Sequence, residues 1–130
     1  QSVGIHRRAL ELAVSYARER VQFGRPIAEH QAVSFLVARI ATELAAARVL
    51  AHAAAIRESQ SDAGRWAAEA KAYASEAANR ACYDSLQIHG GNGYSEEYEI
   101  ARLYRDVRVT TIYEGTSEMQ RLVIARPLFG

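Results

Sequence analysis

One carboxylate stands at the most chemically suggestive point of the chain, within Tyr113-Glu114-Gly115-Thr116-Ser117-Glu118-Met119-Gln120. Ile112 and Tyr113 before Glu114 are apolar or nearly so, and Gly115 after it leaves room for a ligand to come close. A carboxylate that a ligand takes out of water becomes a stronger base, so proton abstraction is the chemistry this position suits. The plainer reading on spacing alone is a solvated acid near a helix start, where the macrodipole favours negative charge.

Other residues suit an anionic or planar ligand. Gly90-Gly91-Asn92-Gly93 follows a helical stretch, and glycines let backbone N–H groups approach an anion such as a phosphate. The strand and spacing of a Walker or Rossmann loop are missing, and the same run reads as a helix stop and turn. Arg20 and Gln22 adjoin Phe23-Gly24, where a guanidinium can meet a phosphate or simply close a helix. His30 and Gln31 can hydrogen-bond a planar ring, or only fill the bonds of a helix start. His6, His30, His52 and His89 are scattered without zinc-ligand spacing, so no metal site is expected. Cys82 is the only cysteine, which excludes an internal disulfide and reads as a small apolar side chain.

The elements that must position these groups are helical. Alanine is abundant, period-two β-branched runs are missing, and the prolines, Pro26 and Pro127, fall at connections or ends. The pattern predicts a first helix over about 2–22, broken by Phe23-Gly24-Arg25-Pro26-Ile27. A second helix is predicted over about 29–57. A third over about 63–88 is capped by Ser61 or Asp62 and stopped at Gly90. A short helix over about 95–106 carries Glu96 and Glu97 in its first turn, and 107–114 reads as extended or irregular. The last helix begins at Thr116 or Ser117, with Ser117 and Gln120 at capping-box spacing. The expected fold is all-α, an up-and-down, mostly antiparallel four-helix-type bundle without a sheet.

At 130 residues the chain suits one domain with a real core. A net charge of +1 gives no overall bias toward nucleic acid or anionic membrane, and no apolar run is long enough for a membrane span. The start lacks an initiator Met and a secretory pattern, so the expectation is a cytoplasmic chain that is one domain, 1–130, of a longer protein.

Four segments in order carry a resemblance: Tyr16 through Ile27, Glu29-His30-Gln31-Ala32-Val33, Gln87 through Tyr94, and Leu103-Tyr104-Arg105-Asp106 with Thr111 through Glu118. Together they cover essentially the whole chain, which resembles the C-terminal helical domain of the flavin-dependent acyl-CoA dehydrogenases. The resemblance implies α,β-desaturation of an acyl-CoA thioester, with FAD as cofactor. It places Glu114 at the α-proton acceptor and Tyr113 and Gly115 beside the substrate. Arg20, Gln22, His30, Gln31, Gln87, Gly90, Gly91, Thr116, Ser117 and Glu118 fall at flavin-contacting positions. It also implies a homo-oligomer, a dimer of dimers sharing FAD between subunits, and an electron-transfer flavoprotein as acceptor. The middle domain that covers the flavin ring lies outside the chain. Two other readings stand beside this one: a non-catalytic helical module that oligomerises, and an oxidase that passes electrons to oxygen.

Overall fold

The computed structural model describes residues 1–130. Six helices account for most of the chain: α1 (Ser2–Glu19), α2 (Gln31–Ile56), α3 (Ala63–His89), α4 (Gly91–Tyr94), α5 (Glu99–Arg108) and α6 (Ser117–Phe129). α1 buries His6, Ala9, Ala13 and Ala17, a stripe at three- and four-residue spacing on one helix face. Its alanines let α3 come close, and α3 answers with Ala78, Ala81 and Cys82 in the same core cluster. α3 is therefore the axis around which α1, α2, α5 and α6 pack. No helix is long and apolar enough to cross a membrane.

Side-chain pairs fix the directions. Ser85 bonds Ala9 and His89 stacks on Tyr16, so α1 and α3 run parallel. Arg39–Asp84 and Arg80–Glu43 make α2 antiparallel to α3. Asn79–Val107 and the Tyr83–Tyr104 rings make α5 antiparallel as well. Lys71–Gly115 and Arg121–Glu76 set α6 parallel to α3. The up-and-down order predicted from sequence is present, with five directions rather than four.

Several boundaries differ from the sequence reading. The first helix ends at Glu19, not Gln22, because Arg20 turns extended and Val21–Gln22 pairs with Arg25–Pro26. Phe23 (φ 54°) and Gly24 (φ 78°) are both left-handed, as a two-residue hairpin turn requires. A two-stranded ribbon thus exists where no sheet was expected. Ile27–Glu29 forms a 3₁₀ turn, so α2 begins at Gln31. Asp62 precedes α3 but does not cap it; its carboxylate accepts from Trp66 Nε1 at 2.9 Å instead.

α5 begins at Glu99, leaving Glu96 and Glu97 outside its first turn. Tyr98 stays extended to pack edge-on against Tyr16 and His89, which delays the helix. The stretch expected to be irregular continues α5 to Arg108 and then a 3₁₀ turn, Val109–Thr111. Buried Val107 and Thr110, both bonded by Asn79 Nδ2, override the β-branched propensity there. Pro127 lies inside the last turn of α6 rather than beyond it.

Candidate active-site turn and cofactor-binding residues

Glu114 sits between the 3₁₀ turn and α6 with φ 53°, and Gly115 follows at φ 85°. Two consecutive left-handed residues reverse the chain, and the non-glycine one carries strain of about 1–3 kcal/mol. The surroundings hold it there. Gln120 Nε2 donates to Glu114 O and to Gly115 O, each at 3.1 Å. Lys71 Nζ, from α3, donates to Gly115 O at 2.6 Å. The Glu114 side chain is exposed and makes no hydrogen bond or ion pair within the chain, so its carboxylate is available to a ligand. The neighbouring Tyr113 hydroxyl donates to Gln1 Oε1.

The start of α6 is built differently from the predicted capping box. Thr116 is the cap, its hydroxyl accepting from Met119 N at 3.4 Å. Gln120 is occupied by the turn, and Ser117 is buried with its Oγ unpartnered. Glu118 is held below the usual carboxylate range, first by its own backbone N–H and then by the Thr116 hydroxyl.

The remaining predicted residues gather elsewhere. Arg20, Gln22, Gly90 and Gly91 line one cleft of about 290 Å³ between the ends of α1 and α3. Gly90 has φ 59° and ψ −140°, a conformation open essentially to glycine, and it turns the chain from α3 into α4. His30 braces the hairpin beside the cleft: Arg25 Nη2 donates to Nδ1 at 3.3 Å, so Nε2 carries the proton and donates to Gln22 O at 3.2 Å. Gln31 opens α2 and is exposed. Gln87 turns away from this cleft into a neighbouring cavity of about 550 Å³ with Tyr83, Tyr94 and Tyr104. The cleft and the Glu114 turn lie toward opposite ends of α3. Lys71 and Gln87 are separated by about 24 Å at 1.5 Å rise per residue.

Four participants were not legible from spacing. Lys71 and Gln120 hold the Glu114 turn. Tyr16 and Asn92 line the cleft: Asn92 Nδ2 donates to Tyr16 Oη at 2.9 Å, and Tyr16 stacks on His89 at 4.3 Å. His89 Nδ1–H donates to Ser85 O at 2.7 Å, and burial lowers its pKa, so a neutral ring faces Tyr16. A groove of about 740 Å³ between α2, α3 and α5 also went unread; Arg39, Arg80, Arg105 and Arg108 line it with Tyr83 and Tyr104. Its residues are far apart in sequence, and no local pattern joins them.

The family model described as acyl-CoA dehydrogenase, C-terminal domain, matches residues 1–129. The chain belongs to the acyl-CoA dehydrogenase family. A Bacillus subtilis acyl-CoA dehydrogenase is 51% identical over 131 residues, covering 100% of this chain and 35% of the relative. The caffeyl-CoA reductase–Etf complex subunit CarC of Acetobacterium woodii is 49% identical over 126 residues, covering 96% of this chain and 33% of its own. The solved butyryl-CoA dehydrogenase of Megasphaera elsdenii superposes with a TM-score of 0.96 at 43% identity, over 99% of this chain and 34% of that one. The acyl-CoA dehydrogenase fold expected from the sequence is thereby established, and the chain spans about a third of the length of these relatives.

Proposed function

We propose that this chain is the C-terminal helical domain, residues 1–130, of an FAD-dependent acyl-CoA dehydrogenase that desaturates an acyl-CoA thioester between Cα and Cβ. The observation that carries the reading is the exposed, unpaired Glu114 carboxylate, held in a left-handed turn at the head of α6 beside Gly115. Glu114 accepts the α-proton at a carboxylate oxygen, while Tyr113 and Gly115 flank the thioester. FAD, when bound, supplies the acceptor for the β-hydride.

The residues present suit that cofactor. The buried Ser117 Oγ without a partner offers a hydrogen bond at the N-terminus of α6, beside Thr116 and Glu118. The guanidinium of Arg20 and the glycine backbone at Gly90-Gly91 suit a pyrophosphate, with Gln22, His30 and Gln31 at the hairpin and Gln87 next door. The separation of these two groups along α3 favours a cofactor shared between subunits, hence a homotetramer arranged as a dimer of dimers. An electron-transfer flavoprotein is the proposed acceptor, supported by the Etf-linked relative, and the proposed location is the cytoplasm.

A second reading is supported by the same relative, a caffeyl-CoA reductase subunit. In the reductive direction Glu114 would donate the proton to Cα, since one group serves both directions of a reversible step. The test is anaerobic mixing of the full-length holoenzyme with acyl-CoA and, separately, of the reduced enzyme with enoyl-CoA. Flavin bleaching in the first mixture supports desaturation; reoxidation only in the second supports the reductase. Peroxide release on admitting air would mark the oxidase alternative, and flavin silence in both would leave the oligomerisation module.

A further inference from the structure

We propose that Lys71 and Gln120 are positioning residues for Glu114, a two-sided clamp on the main-chain carbonyls that keeps this residue left-handed. The proposal rests on the reading of Glu114 as the base. Glutamate has no intrinsic preference for the left-handed region, where its Cβ crowds the backbone. A return to right-handed or extended backbone would swing the Cα–Cβ bond and carry the carboxylate away from its place. The restraint therefore has to come from the groups bonded to the turn.

Those groups come from two helices. Gly115 O accepts from Lys71 Nζ at 2.6 Å and from Gln120 Nε2 at 3.1 Å, which fills both of its lone pairs. Gln120 Nε2 also reaches Glu114 O at 3.1 Å. Lys71 takes part in none of the chain's ion pairs; its charge is directed at a carbonyl, a charge-assisted bond stronger than a neutral one. It projects from the core helix between buried Ala70 and Ala74, so its base is fixed. Arg121 pairs with Glu76 just beyond, tying α6 to the same stretch of α3. Gly115 leaves the space that Gln120 uses: a Cβ there would lie 2.7 Å from Gln120 Nε2.

The test uses the full-length holoenzyme with butyryl-CoA as probe and four variants: Lys71→Met, Lys71→Arg, Gln120→Leu and Glu114→Gln. Two readouts are taken, hydrogen–deuterium exchange over 112–120 and the anaerobic rate of flavin reduction. Lys71→Met and Gln120→Leu should each speed exchange in this segment by about 10-fold as the turn opens. They should slow flavin reduction by about 10- to 100-fold at unchanged half-saturating butyryl-CoA, the signature of a misplaced base rather than lost binding. Lys71→Arg, which keeps a charged donor, should restore both. Parental exchange in both Lys71→Met and Gln120→Leu would overturn the clamp, whether or not butyryl-CoA is turned over. So would a Lys71→Arg variant as impaired as Lys71→Met. If Glu114→Gln bleaches at the parental rate, the base assignment fails, and exchange alone judges the clamp.

Discussion

Cys82 has no exposed surface, and burial pushes its thiol up to about 12. The thiolate is the reactive form, so iodoacetamide should leave the folded protein unmodified and label one site per chain only on unfolding. Rapid labelling of the native protein would contradict the passive, small apolar role read from the sequence. Gly115 is the opposite case, a residue whose smallness is used. Gly115→Ala meets both a positive φ and the Gln120 amide, so the variant should lose stability by about 1–3 kcal/mol, measured by denaturant titration. Glu114 stands out in the sequence because an acid beside a glycine before a helix is a local pattern. Lys71 does not, because it lies 44 positions from Gly115 and only the packing of α6 on α3 brings them together.

Among the elements, α4 shows which glycine of Gly90-Gly91-Asn92-Gly93 is needed for packing. A Cβ on Gly93 would lie 2.7 Å from Leu86 O and 2.9 Å from His89 Cβ, whereas one on Gly91 would meet nothing within 4 Å. Gly93→Ala should therefore force α4 off α3 and cost about 1–3 kcal/mol, while Gly91→Ala should leave thermal stability near the parent's. Equal melting temperatures for the two variants would contradict this packing. The long helices were legible because alanine is abundant and period-two β-branched runs are missing. The hairpin at Phe23-Gly24 was not, since its two-residue strands are too short to show a period and Phe23 hides a left-handed turn position. The start of α5 was missed for a tertiary reason: Tyr98 is held extended by rings from α1 and α3.

At the scale of the whole molecule, His6 couples stability to pH. Its Nε2–H donates to Ile40 O at 2.9 Å, Nδ1 is buried without a partner, and burial lowers its pKa from the ordinary 6.5. Nearby Glu43 and Arg80 act in opposite directions on it. Below about pH 6.5 the unfolded chain takes up a proton that the folded chain refuses, so this contribution is complete above that pH. It should fall, by up to about 1.4 kcal/mol per pH unit, until the folded ring itself protonates. His89, lowered by the same cause, adds in the same direction. Melting curves of His6→Gln should show a shallower loss between pH 6.5 and 5; a slope equal to the parent's would remove His6 from the account.

The molecule also leaves apolar surface uncovered, with Phe35, Val49 and Ile56 on α2 and Met119, Leu122 and Val123 on α6. Such surface predicts self-association of the chain in sedimentation runs, and a strict monomer at high concentration would contradict that. The central claim is that Glu114 is the base, and anaerobic flavin reduction by substrate in the full-length Glu114→Gln enzyme tests it most directly. The amide keeps the shape of the side chain but cannot take the α-proton. FAD and acyl-CoA should still bind, and flavin reduction should fall by at least about 10²–10⁴-fold, with Glu114→Asp in between. Bleaching of the Gln variant at the parental rate would show that another group accepts the proton.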